Sequence, residues 1–270
     1  MEIALLIVAL AVGVLAGTAL AGRLDISAPL LLIAAGIGVS FVPGVPELQL
    51  HPDVVLFGLL PPLLYAAALQ TSLVDFTANR RPILLLSVGL VVFTAVGVGV
   101  LVHAVLPGTS WPAAFAIGAV VAPPDAVAAT SIGRRIGLPR RLVTILEGES
   151  LLNDATALVS LRTAIAAGAG SVALIDVGAD FALAAGGGTA AGLLAYWLVS
   201  RVRRRVVDPV FDTGVSLLTP FAAYLGAELV HGSGIIAVVV AGLLLGHRAP
   251  VLQTASSRIS ERMNWRTIAF

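Results

Sequence analysis

The sequence predicts an all-α, polytopic membrane protein with about nine transmembrane helices and the start of a tenth. Three observations carry that expectation. The chain is 58% hydrophobic and only 11% charged over 270 residues, with a mean hydropathy of +1.02, whereas a water-soluble protein carries roughly a quarter of its residues charged. Apolar runs of about 20 residues, the length that crosses a bilayer, recur along the whole chain. The basic residues collect in alternate connections between those runs.

The runs lie at about 3–21, 27–45, 53–70, 82–106, 112–132, 142–167, 175–199, 209–228 and 231–247, with a tenth expected to begin near Trp265. The first does not read as a signal peptide: Glu2 stands where a basic segment belongs, and no clear cleavage site precedes the later runs. Connections after odd-numbered runs carry Arg23; Arg80 and Arg81; Arg134, Arg135, Arg140 and Arg141; Arg201, Arg203, Arg204 and Arg205; then Arg248, Arg258, Arg262 and Arg266. Connections after even-numbered runs carry none, so 15 of the 16 basic residues, all Arg, share one side. The positive-inside rule makes that side cytoplasmic and places the N-terminus outside, in the cell (inner) membrane. One missed or invented helix would scramble this alternation. A net charge of +1 gives no electrostatic case for a nucleic-acid partner, and the absence of Cys excludes disulfides and thiolate metal sites.

Charges at membrane depth mark the chemistry, because burying one there costs several kcal/mol. Asp125 lies in the fifth run; Glu147, Glu149, Asp154 and Arg162 lie in the sixth. The segment VTILEGESLLNDATALV (143–159) puts Glu147, Ser150 and Asp154 on one helical face, with Glu149 and Asn153 as an i, i+4 pair beside it. Glu147 is nearest the Arg-rich end and reads as interfacial. Asp154 stands thirteen residues beyond Arg141, about 20 Å along a helix and thus near mid-bilayer. A desolvated carboxylate there is neutralised by a proton or by a metal cation, the two states a cation–proton exchanger needs. Arg162 reads as snorkelling or as half of a structural ion pair. In the fifth run Pro123 and Pro124 lack N–H groups and oppose the carbonyls near Ala119 and Val120, so a helix break is expected beside Asp125. Pro61-Pro62 reads as a kink, with Tyr65 as packing, and Gly186-Gly187-Gly188 as close helix packing.

The stretches APPDAVAAT and LPRRLVTILEGESLLNDATALV resemble the signature of bacterial sodium/proton antiporters of the monovalent cation–proton antiporter superfamily, in the Asn-Asp, electroneutral-type branch. LLPPLLYAAALQTSLVDF and SGIIAVVVAGLLLGH add to the likeness, which runs through essentially the whole chain. The resemblance implies that Asp154 alternates between cation and proton and that Asn153 is its neutral neighbour. It further implies that Asp125 is the acid of an unwound span and Ser150 a hydroxyl ligand, so that Asp154, Asp125 and Ser150 hold the transported metal ion. Glu149 matches a structural acid that pairs in relatives with an Arg on a late helix. Arg162 is the candidate here, although thirteen residues along one helix is too far for direct contact. Where some relatives carry a Thr this chain has Pro124, of which only the carbonyl could serve as a ligand, and where some carry a Glu it has Ala66, to which no ligand is transferred.

On this resemblance the function is secondary transport of Na⁺ (or K⁺, Li⁺) against H⁺, without a cofactor, in a lipid bilayer and as a homodimer. Relatives have twelve or thirteen spans in two inverted repeats. Residues 1–270 then read as a single, incomplete membrane domain: a first repeat at about 1–167, a linker helix at 175–199 and the start of a second repeat at 209–270. A truncated, non-transporting remnant is one alternative. An intramembrane hydrolase using Ser150 is another, but it needs a base, and His51, His103, His231 and His247 all fall at or near span ends. Gly148-Glu149-Ser150 also lacks the following Gly of a nucleophile elbow.

Overall fold

The computed structural model describes residues 2–42, 51–124, 133, 136–170 and 174–269, and every regular element among them is helical. The chain falls into two compact units: Met1–Leu50 with Val127–Leu138, and His51–Ala126 with Pro139–Phe270.

In the smaller unit, α1 (Glu2–Leu24) packs on α2 (Ala28–Ser40). A turn through Asp25, at φ 57°, reverses the chain. Gly17 sits where a Cβ would come 2.6 Å from Leu32 Cδ2, so the two helices meet closely at that point. Their other faces present Leu5, Val8, Leu15, Leu30 and Ile33 outward. Such a surface is paid for in water but suits lipid.

The larger unit opens on a helix that runs from Val54 through α3 (Leu60–Gln70). Its first turn, Val54–Leu59, is widened, with the Leu60 N–H reaching back to Val55 O five residues away. Pro61 and Pro62 follow at once, without N–H groups to continue the ordinary ladder, so the expected kink takes the form of a π turn. Short helices α4 (Leu73–Ala78) and α5 (Arg80–Leu84) lead through another π turn, Leu85–Leu90, into α6 (Val91–Val105). Then come α7 (Trp111–Val121), α8 (Arg140–Ala169), α9 (Leu174–Arg203), α10 (Pro209–Glu228), α11 (Gly234–Leu252) and α12 (Ala255–Ile268).

The core forms where α3, α10 and α11 meet. Tyr65, Tyr224, Ala227, Ile235, Val238 and Leu245 are buried together there, with Trp265 of α12. α9 reaches α11 through small residues. A Cβ on Gly188 would meet Ile236 Cβ at 3.1 Å, and one on Gly192 would meet Val240 Cβ at 2.8 Å. Gly187 and Gly188 therefore serve close packing, as read from the sequence, while Gly186 faces open space.

Arg80–Val105, Gly178–Arg203 and Gly234–Leu252 are long and apolar enough to cross a membrane. Val8–Leu24, Ala28–Ser40, Val54–Gln70 and Trp111–Val121 are shorter apolar helices. α8, at 30 residues, has the length but carries Asn153, Asp154 and Arg162. Trp265, near which a tenth span is expected to begin, belongs to α12, a polar helix that buries Ser257, Glu261 and Trp265 on one side. That stripe recurs every four residues and faces the core, while Arg262, Met263 and Arg266 face out.

Candidate functional site

α8 starts directly after Pro139, whose fixed φ ends the preceding loop, and runs to Gly170. Its N-terminus is held to the α4–α5 corner: Arg141 Nε donates to Asn79 Oδ1 at 3.1 Å, and Arg140 lies 3.8 Å from Asp75. Gly148 lets the helix press on α5 and α4, because a Cβ there would be 2.6 Å from Ile83 Cδ1 and 3.2 Å from Phe76. The Gly of the Gly-Glu-Ser element is therefore a packing residue. Glu149, next to it, is buried.

α7 begins with Ser110 accepting from the Ala113 N–H, and its last helical residue is Val121. Pro123 and Pro124 lie outside any helix. Ending the helix here orphans its last carbonyls, and two successive prolines have no N–H to satisfy them. Asn153, 1% exposed, meets this end of the chain. Its Nδ2 donates both to Pro124 O at 3.1 Å and to Glu149 Oε1 at 3.0 Å. Both partners are acceptors, so the amide can only be oriented this way round. One neutral side chain thereby ties the broken segment to the buried acid.

Asp154 follows on the adjacent face. It is half-buried and lines a cavity of about 200 Å³ together with Ala119, Val120 and Pro123 of the broken segment; the remaining wall is aliphatic. The carboxylate and the end of α7 thus share one small space. Ser150, one turn back on α8, is half-buried and does not line that cavity. Asp125 lies outside the described residues, so of the three expected cation ligands the structure places Asp154 and Ser150 only.

Glu149 and Arg162 do not pair with each other. Glu149 takes its hydrogen bond from Asn153, whereas Arg162 Nη2 is 3.5 Å from Glu228 Oε1 at the end of α10. The distance along α8 already argued against direct contact, and packing supplies a nearer carboxylate. His103 is likewise engaged elsewhere, stacked on Trp111 with ring centroids 3.8 Å apart and Nδ1 2.8 Å from Thr109 O.

A second polar cluster was not legible in the sequence. Arg203, grouped above with the loop arginines, is fully buried at the end of α9. Its Nη2 lies 2.6 Å from Glu261 Oε1 on α12, and its Nε 3.3 Å from Asp212 Oδ1 on α10. Gln253, at the end of α11, donates to Asp212 Oδ2 at 2.6 Å and to Glu261 Oε2 at 2.9 Å. Ser216 donates to Glu261 in a very short contact and accepts from Trp265 Nε1 at 2.9 Å. Four helices are clasped by one cation and two carboxylates. The signal available beforehand was slight: an acid in the first turn of α10, and a Glu four residues before the Trp of α12.

The sequence profile described as sodium/hydrogen exchanger, transmembrane, matches residues 7–264. The chain belongs to the sodium/hydrogen exchanger family. This exchanger-family chain is 39% identical over 266 residues to an uncharacterized Na(+)/H(+) exchanger of Mycobacterium tuberculosis, covering 98% of the chain and 48% of that relative. It is 33% identical over 253 residues to a sodium, potassium, lithium and rubidium/H(+) antiporter of Bacillus pumilus, covering 91% and 38%. Against the Na(+)/H(+) antiporter ApNhaP of Aphanothece halophytica it is 32% identical over 244 residues, covering 89% and 46%. The chain thus spans about half or less of the curated relatives it matches. Its fold is similar to that of the sodium proton antiporter MjNhaP1 from Methanocaldococcus jannaschii, with a TM-score of 0.69 at 21% identity, over 100% of this chain and 66% of the other. An all-helical, multi-pass membrane protein of the antiporter fold is the result.

Proposed function

We propose that this chain forms the ion-binding part of a secondary transporter that exchanges cytoplasmic Na⁺, K⁺ or Li⁺ for external H⁺ at Asp154 by alternating access. The observation that carries the reading is the shared cavity. Asp154 and the end of the broken helix at Pro123 line one space, while Asn153 holds Pro124 from the neighbouring position on α8. Family membership supports cation–proton exchange as the class of activity.

The chemistry follows from charge in a dry setting. A carboxylate with little water around it is stabilised either by a proton or by a cation, and the two compete for the same oxygens. A helix that ends beside such a carboxylate brings backbone carbonyls near it, neutral oxygen ligands of the kind discontinuous transporter helices offer to Na⁺. By resemblance to the family, with neutral Asn153 where electrogenic relatives carry a second Asp, one-for-one, electroneutral exchange is the expectation. Asp125 and Ser150 complete the ligand set by resemblance to the family. The Arg-rich connections face the cytoplasm in this reading.

Two measurements test it. In weakly buffered detergent solution, Na⁺ added to the purified chain releases protons from the wild type, seen with a pH-sensitive dye, and none from Asp154→Asn. In proteoliposomes carrying a pH gradient, Na⁺ collapses the gradient through the wild type and not through Asp154→Asn. Wild-type proton release and exchange in Asp154→Asn would refute the assignment.

A further inference from the structure

A cavity of about 270 Å³, larger than the one at Asp154 and sharing no lining residue with it, opens between the end of α3, the end of α11 and one side of α12. Three arginines of its wall, Arg258, Arg262 and Arg266, follow i, i+4, i+8 spacing, so their guanidinium groups form a single stripe along α12. Like charges four apart repel on a helix. Arg258, near the N-terminal end, also opposes the helix dipole. Such a stripe destabilises α12 unless something negative faces it.

Nothing within the described residues does. Arg262 and Arg266 have no ion-pair partner among them, and Arg258 reaches only Pro250 O, at 3.3 Å. Glu261 is the one acid in the wall; it is 2.6 Å from Arg203, which it shares with Asp212, so that buried cluster keeps one formal negative charge. Three arginines against that single formal negative charge leave the cavity net positive. Gln70 and Gln253 also line the wall, but their Nε2 groups already donate, to Ala66 O and to Asp212 and Glu261, so the arginines are the donors it offers to an anion. Trp265 and Leu69 complete it with apolar surface.

We propose that this cavity binds a phosphate group, with Arg258, Arg262 and Arg266 as its cationic wall. A single carboxylate offers one charge and two oxygens, too little for three guanidinium forks. A phosphate offers more charge and more acceptor oxygens, and guanidinium matches it in bidentate geometry. The group has two possible sources: the headgroup of an anionic phospholipid, or a soluble phosphate-bearing molecule. Because Glu261 and Gln253 belong both to this wall and to the Arg203 cluster, an occupant bears on the clasp that joins α9, α10, α11 and α12.

The test uses the purified chain, with fluorescence of the buried Trp265 as one readout. Pyrophosphate serves as the soluble probe, and nanodiscs of phosphatidylglycerol against phosphatidylcholine, read by native mass spectrometry, serve as the lipid probe. Arg262→Gln/Arg266→Gln removes two exposed charges from the wall. Arg204→Gln/Arg205→Gln removes two exposed charges elsewhere on the Arg-rich side. If the ligand is soluble, pyrophosphate binds saturably and its Kd rises at least about tenfold in the wall variant, as expected for losing two charge-assisted contacts, but not in the control. If it is a lipid, a phosphatidylglycerol stays bound to the wild type and to the control and is lost from the wall variant. Should the double variant lose helicity, Arg262→Lys, which keeps the charge but not the fork, carries the same comparison. No binding of either probe, or equal weakening in the wall and control variants, overturns the proposal.

Discussion

Removing the Arg203 side chain, as Arg203→Leu, should be among the most damaging single changes in this fold. The side chain is 0% exposed, and its two acidic partners are 3% and 6% exposed, so solvent screens neither contact. As it stands, one guanidinium faces two carboxylates, a formal charge of −1 eased by the two hydrogen bonds from Gln253. Arg203→Leu leaves −2 with no cation. Breaking a buried ion pair by deleting one partner costs about 3–5 kcal/mol, which at about 2–4 °C per kcal/mol is a fall in Tm on the order of 10 °C. Glu261→Gln tests the arithmetic from the other side. It leaves Arg203 with Asp212 at formal neutrality and, because both Glu261 oxygens accept, also turns one acceptor into a donor, a loss of about 1–3 kcal/mol. Thermal unfolding in detergent, followed by tryptophan fluorescence, ranks the two. If Glu261→Gln lowers Tm as much as Arg203→Leu, or if Arg203→Leu is near wild type, the cluster is not held by its charge balance and the reasoning fails.

Three further outcomes follow from the same contacts. Asn153→Leu removes both donors at once and strands the buried Glu149 carboxylate, a loss of about 1–3 kcal/mol in stability together with the Na⁺-evoked proton release of the wild type; normal release would show that the Pro124 tether is dispensable. Gly192→Leu should lower Tm sharply, because even a Cβ there lies 2.6 Å from Ala237 O, whereas Gly186→Ala, which has nothing within 4 Å, should match or exceed wild type. Arg162→Gln should cost less than about 1 kcal/mol, since its pair with Glu228 is 57% and 29% exposed; a loss several times larger would point to a role beyond that pair.

What the sequence determined by itself is what repeats along the chain or sits close within it. Apolar run length, the alternation of arginines, the Pro pair at 123–124 and the shared face of Ser150 and Asp154 all follow from helix geometry and the hydrophobicity of lipid. Tertiary structure alone decided the partners. Asn153 finds Pro124 across 29 positions, Arg203 finds Glu261 across 58, and Arg162 takes Glu228 instead of Glu149. No periodicity encodes those meetings, because they depend on which helices pack side by side and at what depth. Arg203 shows the difference most plainly: among the loop arginines its composition and position are ordinary, and only the arrival of α10, α11 and α12 around it turns a surface charge into a buried one that must be matched.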